Sequence, residues 1–420
     1  MADTKITETY EYNTSIITSY DGKEQRLKTR QYPRRKFSFD YDAMDVFQAQ
    51  WIRALLRQKQ NRTQYIPLWF NATPVVEDVL GGKIIKIPVN SLYNFENCDY
   101  VELFYEDDPL GRSKNMVRKV RHYRIDDKNN VGIIELKDPV SKPFRAGTTF
   151  VYPLINTCTQ PSSDVNYVFA RGTHTVLNFE AVNAVGNVSL PAKVLPYEGT
   201  SENFNMFNLP QTFNDREVFL FTPTWVGDES VNLKINKNVN KLDNNTGIFQ
   251  YDMKSNYYYD TQTWDINLLD KSMIFDMKRF FRNVSGRYKA FYCPTWVNDI
   301  EPYEDIVGGQ NYIITEFNGM YDYYSAVTRK KYIVVLTKDF QAHIFKIFGY
   351  ATDKRHDPTY GEIKVGKILL SDTVKETIPL DNIMMISYFN LVRFDSDEIQ
   401  FNYETDCVAT TTVSFKEVDV

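Results

Sequence analysis

Pro67-Leu68-Trp69-Phe70-Asn71, followed by Glu77-Asp78-Val79-Leu80-Gly81-Gly82, recurs as Pro294-Thr295-Trp296-Val297-Asn298 and Glu304-Asp305-Ile306-Val307-Gly308-Gly309, both displaced by 227 positions. Two motifs that share one offset, with no gap between them, point to a long internal repeat, and self-similarity constrains architecture before any local motif does. Upstream, Tyr20-Asp21-Gly22-Lys23 faces Tyr251-Asp252-Met253-Lys254, and Phe37-Ser38-Phe39-Asp40 faces Trp264-Asp265-Ile266-Asn267. Downstream, Tyr100-Val101 pairs with Tyr332-Ile333, Asp164-Val165 with Glu398-Ile399 and Phe179 with Phe415, the displacement growing through small loop insertions.

The expected organisation is therefore two tandem homologous domains, 1–195 and 215–420, joined by a linker at 196–214. The joining region from Asn187 to Asn214 carries Leu190-Pro191, Leu195-Pro196 and Leu209-Pro210, and proline removes ladder donors. Each domain reads as a hairpin, a helix, a Trp-bearing strand and a run of short strands. The first helix is expected over 42–58, with Met44, Phe47, Trp51 and Leu55 on one face and Asp42 as N-cap. The second is expected over 272–284, with Ile274, Met277, Phe281 and Val284 following Ser272. Tyr100–Tyr105, Val117–Ile125, Val131–Leu136 and Thr149–Leu154 are short, β-branched or aromatic segments, and Asp126-Asp127-Lys128-Asn129-Asn130 is a hairpin turn. The fold class is mainly β (α+β), each domain a small antiparallel barrel or sandwich with one packed helix. Val218–Asn245 is an inserted or third β element of the second copy.

Composition agrees. The chain has 420 residues, 29 Tyr and 28 Phe, and aromatic rings favour half-buried strands and subunit contacts. A formal charge of −5 argues against counterion-release binding to a polyanion, so nucleic acid is not an expected partner. Cys98, Cys158, Cys293 and Cys407 lie far apart without C-x-x-C spacing and are expected as free thiols. Met1–Tyr20 lacks the apolar core of a signal peptide, and no run approaches a membrane span, so a soluble compartment is expected.

The residues that carry chemistry point away from catalysis. His122, His174, His343 and His356 have neither a second His at i+4 nor a Cys at ligand spacing, so no metal is expected. Phosphate-cradle and nucleophile-elbow motifs do not occur, and no cofactor or catalytic residue is assigned. Glu106-Asp107-Asp108 and Asp395-Ser396-Asp397-Glu398 are the densest acidic clusters and read as solvated turns. Trp69 and Trp296 read as core anchors, with a ligand platform as the alternative. Arg26, Lys28, Arg30, Arg34, Arg35 and Lys36, then Arg53, Arg57, Lys59 and Arg62, crowd the first copy alone. A solvated strand face or a salt-bridging contact to an acidic partner subunit is expected there, ahead of nucleic acid.

Asp21-Gly22-Lys23-Glu24-Gln25-Arg26, then Tyr32-Pro33-Arg34-Arg35-Lys36-Phe37, a helix, and a basic turn before Tyr65-Ile66-Pro67-Leu68-Trp69 resemble the N-terminal pattern of tailed-bacteriophage tail-tip proteins of the distal-tail type, over about residues 18–75. That family forms rings closing the tail tube above the receptor-binding apparatus. The resemblance implies a virion structural protein, assembled in the host cytoplasm, that joins the tail tube protein to the hub, spike or fibre proteins. It implies self-association in a ring, with a trimer placing six similar domains around the axis and a homohexamer as the alternative. The second functional class is a β-rich carbohydrate-binding or glycan-degrading tail protein, and the third a DNA-contacting portal or neck component.

Overall fold

The computed structural model describes the chain apart from residues 1–4, 20, 44–45, 59–61, 97, 106–113, 160–164, 169–171, 183–204, 226–230, 244–246, 248, 318–329, 358–360 and 419–420. Met44, Lys59, Glu106-Asp107-Asp108, Asp164 and the Leu-Pro pairs at 190–191 and 195–196 lie outside the described residues. Strands dominate, and all the ladders are antiparallel. Expected strands appear at Tyr100–Tyr105 and Val131–Leu136 with unchanged bounds, and those at 117–125 and 149–154 lie within Lys114–Asp126 and Thr149–Thr159. The turn after Asp126 ends on Asn130 in the left-handed region, φ 52°, which Asn tolerates better than most residues.

In the first half, Arg34–Ala43 pairs with Ile6–Glu11 and Gly172–Ala181. Thr149–Thr159 pairs with Gly172–Ala181, Gln64–Pro67 and Tyr100–Tyr105. The path continues through Lys114–Asp126 and Val131–Leu136 to Ile84–Pro88. In the second half, Phe249–Leu268 pairs with Val231–Asp243 and Ala409–Glu417. Ile383–Phe394 pairs with Ala409–Glu417, Phe291–Pro294 and Tyr332–Thr337, and the path runs on through Ala342–Asp357 and Gly361–Leu370 to Tyr312–Thr315.

The closed barrel expected from the strand spacing does not form. Its last seam holds one bond in the first half, Val76 N to Lys86 O at 2.9 Å, and two in the second, Tyr303 N to Ile314 O at 3.1 Å and Glu316 N to Glu301 O at 2.9 Å, where closure needs a continuous ladder. Pro74 stands beside the first of these bonds and has no N–H with which to extend it.

The halves are not separately cored beads. Ile6–Glu11 is flanked by Arg34–Ala43 on one side and by Glu398–Tyr403 on the other, so one sheet runs through both. A shared apolar core gathers Phe37, Phe39 and Phe179 with Trp264, Phe281, Phe394, Phe401 and Phe415. Two smaller cores sit outboard, one around Leu103, Ile134 and Val151 and one around Ile333, Val335 and Ile386. Of the expected linker, residues 205–214 are described, and Phe207 and Leu209 are buried in the shared core.

Two α-helices occur among the described residues: α1, Val46–Gln58, and α2, Lys271–Val284. Asp42 does not cap α1. It belongs to strand Arg34–Ala43, where its Oδ1 meets His174 Nδ1 at 2.7 Å. The face expected inside is also turned outward: Phe47 is 83% and Trp51 61% exposed, while Ala49 and Ile52 pack with Leu56 against Tyr41 and Leu177. Helix α1 carries two apolar stripes, and the periodicity that reveals both does not say which one meets its own sheet. For α2 the expected face is buried as read, but the cap is Asp270, whose carboxylate accepts from Met273 N at 2.8 Å, and Ser272 lies inside the helix. α2 ends at Ser285-Gly286. Gly286 has φ +61°, and a Cβ there would stand 2.8 Å from Asp397 Oδ1.

Candidate assembly site

The strand Ile6–Glu11 buries alternate residues, so Ile6, Glu8 and Tyr10 all face inward and a carboxylate enters the shared core. Glu8 Oε1 accepts from Arg35 Nε at 3.1 Å and Nη2 at 2.6 Å. Its Oε2 accepts from Lys278 Nζ and from Tyr403 Oη, the latter at 3.1 Å, and Lys278 also donates to Tyr403 Oη at 2.7 Å. The Lys278 ammonium lies within 6 Å of four ring centroids, Tyr10, Phe70, Phe401 and Tyr403. Burial pushes the Glu8 carboxyl up, but Lys278 and Arg35 outweigh it and hold it at about 2. Burial pushes the Tyr403 hydroxyl well up, and Glu8 adds to this, so it stays a neutral donor.

The cavity beside this cluster has a volume of about 30 Å³, enough for a water and too small for a substrate. Glu8 and Arg35 come from the first half, Lys278 and Tyr403 from the second. The cluster joins the halves.

A second buried cluster does the same for the N-terminal hairpin, Thr14–Thr18 with Glu24–Lys28. Glu24 accepts from Arg393 Nε at 2.8 Å, Arg393 Nη2 at 3.0 Å and Lys416 Nζ at 2.8 Å. Burial raises the Glu24 carboxyl, and these two cations bring it down to about 2. Asp397, read as part of a solvated turn, accepts from Thr14 N at 2.7 Å and lies 3.1 Å from the Arg287 guanidinium, pinning the hairpin's first strand.

Much of the basic stretch from Arg26 to Lys36 is therefore engaged within the chain. Arg26 donates to Tyr288 O, Lys28 to Ser285 Oγ and Arg30 to Glu11. Arg34 pairs with Glu180, Arg35 with Glu8, and Lys36 with Glu11 and Glu398. Periodicity identifies strands but does not identify which acidic side chains, hundreds of residues away, will lie opposite.

The two repeated tryptophans part company. Trp296 is 1% exposed, as a core anchor should be, whereas Trp69 is 48% exposed. Trp69 begins the 3-10 turn Trp69–Asn71, which sends Phe70 inward in its place and leaves the indole edge-on to Phe39 at 5.6 Å.

Exposed apolar side chains among the described residues include two groups. One is the aromatic stripe of α1. The other lies on the ribbon of Val231–Asp243 and Phe249–Leu268. Leu233, Ile235 and Val239 alternate there with Asn232, Lys234 and Asn240, and all three are exposed together with Phe249 and Tyr251. Among the described residues Val231–Asp243 has no second strand partner, and Lys234, Lys237 and Lys241 along it discourage indiscriminate edge pairing.

The four cysteines are free, and burial pushes the Cys98 thiol up to about 12, far from a thiolate nucleophile. His122 and His343 lie in strands, and among the described residues no three His, Cys, Asp or Glu side chains are placed to hold a metal. No helix among the described residues is long and apolar enough to cross a membrane. In comparisons with known proteins, the chain matches no protein-family model and no curated sequence.

Proposed function

We propose that the chain is a structural subunit of a bacteriophage tail tip of the distal-tail kind, a tandem duplication whose two halves take neighbouring places in a ring between the tail tube and the central hub or spike. The observation that carries this reading is the agreement between strand pairing and sequence offset. In each half the strand before the helix pairs with the last strand, and the strand after the helix pairs with the long strand that also meets it. The bridge Val79–Phe144 has its counterpart in Ile306–Ile378, and the pair Thr73–Val151 in Ile300–Ile386. The leading residue of each counterpart is displaced by 227, the offset of the repeated motifs.

Further support comes from the exposed aromatic stripe of α1 and the apolar ribbon, since exposed apolar patches mark contact surfaces and a ring of identical chains needs two different ones, joined head to tail. Three chains give six comparable places; six chains are the alternative. Native mass spectrometry of the purified protein should find three chains of 49.2 kDa each. A stable monomer at micromolar concentration would sink the reading. Changing Phe47 and Trp51 together to Ser should reduce the assembly to single chains while moving the unfolding free energy by no more than about 1 kcal/mol, as surface changes do. An unchanged mass would remove α1 from the contact.

A further inference from the structure

Glu398–Tyr403 and Ala409–Glu417 begin a ladder that soon breaks off. It sets Tyr403 opposite Ala409 and Asn402 opposite Thr410, and contact resumes where Asp395 N reaches Ser414 O at 2.8 Å. Between these points one segment takes seven steps, Asp395 to Asn402, and the other four, Thr410 to Ser414, so the longer one bows away as a bulge. Neighbouring bonds fix which way the backbone points inside the opening. Tyr12 N donates to Asp397 O, so by alternation Ile399 and Phe401 also bond to Ile6–Glu11, and Gln400 turns its N–H and C=O the other way. Asp265 O accepts from Thr224 N and so turns away from Thr412, its register partner, which leaves Thr412 facing Gln400. The rung that these two residues would form is missing, and unpaired N–H and C=O groups call for water or a ligand.

The opening is a cleft of about 420 Å³, within the range of about 300–1,000 Å³ usual for small-molecule sites. Phe394, Ile399 and Val413 form its apolar floor, and hydroxyl and amide side chains its rim. The hydroxyls of Thr412 and Ser414 already bond to Asp265 and Thr263, and Gln400 Nε2 donates to Asn402 Oδ1 at 3.0 Å. Thr9 Oγ1, Gln400 Oε1 and Asn402 Nδ2 are then the rim groups without a protein partner among the described residues. Lys36 and Glu398, the charged residues of the rim, pair with each other at 3.3 Å, so the cleft suits a neutral ligand. One missing rung is too short to take up a peptide strand, which needs a run of edge groups.

We propose that this cleft binds a neutral saccharide bearing an acetamido group, an N-acetylhexosamine unit. The acetamido N–H and C=O would take the place of the missing rung between Gln400 and Thr412, as one peptide group does for another. The sugar hydroxyls would meet Thr9 Oγ1, Gln400 Oε1 and Asn402 Nδ2, and its C–H face would lie towards Phe394, Ile399 and Val413. The site goes beyond the ring and does not depend on it.

The probe is N-acetylglucosamine, titrated calorimetrically into the full chain, with glucose, which has a hydroxyl in place of the acetamido group, as the comparison. Saturable binding with a dissociation constant of about 1 mM or tighter is expected, and glucose should bind at least about tenfold more weakly. Thr412→Pro removes the N–H that faces the cleft and no ladder bond, so the chain should fold and bind the probe about tenfold more weakly. Gln400→Trp fills the opening from an exposed position and should abolish binding; it decides the matter if the proline variant does not fold. No saturation up to about 20 mM probe, equal binding of glucose, or unchanged binding by Gln400→Trp overturns the proposal. None of these results bears on the ring, which the mass of the unliganded protein tests alone.

Discussion

Replacing Glu8 by Ala is expected to destabilise the chain by about 3–5 kcal/mol, the usual cost of breaking a buried ion pair from one side. The loss arises because Arg35 and Lys278 stay behind in the core, 7% and 11% exposed at their side chains, with their shared acceptor gone. Equilibrium urea unfolding measures it, and a loss under about 1 kcal/mol would mean that the cluster is hydrated and does not hold the halves together. Acid should reproduce the effect. The Glu8 carboxyl is held near 2 in the folded chain against an ordinary value of 4.5, so its contribution is complete above about pH 4.5 and is lost as pH falls towards 2. Glu24 behaves in the same way, and the two together should make the chain markedly acid-sensitive over that interval. Replacing Glu8, Arg35 and Lys278 together by apolar residues of similar volume should cost far less than Glu8→Ala, because no unpaired charge is left buried.

Trp296→Ala should cost about 3–5 kcal/mol, and Trp69→Ala no more than about 1 kcal/mol, although the two residues occupy the same place in the repeated motif. Trp296 packs against Phe207, which in turn meets Phe340, so its removal opens a hole bordered by three parts of the chain. It is also held at φ 55°, a conformation that a bulky residue keeps only where its surroundings enforce it. Trp69 loses one edge contact with Phe39. Matching losses at both positions would show that the exposed setting of Trp69 is wrong.

The residues whose role depends on chain-local pattern were legible without coordinates. The alternation of Tyr100–Tyr105, the β-branched run of Val131–Leu136 and the polar run at 126–130 place strands and a turn because such side chains suit a pleated strand, and a turn needs residues that tolerate it. The α2 face was readable for a similar reason, since Ile274, Met277, Phe281 and Val284 form its main apolar stripe, although Phe275 is buried on another side. α1 has two stripes, and there the same reasoning chose the face that lies in solvent.

Charge was the least legible property. Glu8 in Ile6-Thr7-Glu8-Thr9-Tyr10 sits at an inward position of an alternating strand, and that position is the one available signal of its burial. Its partners lie 27 and 270 residues away, so nothing local announces them. The basic stretch from Arg26 to Lys36 looks like a surface for a partner until Glu11, Glu24, Glu180 and Glu398 are placed against it. By itself the sequence determined the β-rich character, the repeated motifs with their single offset, and the position of both helices. Only the tertiary structure decided which stripe of α1 faces outward, that the ladders stop short of a barrel, and which ions are buried. Backbone preference and side-chain periodicity act over a few residues, whereas desolvation and ion pairing depend on what the folded chain brings from far away.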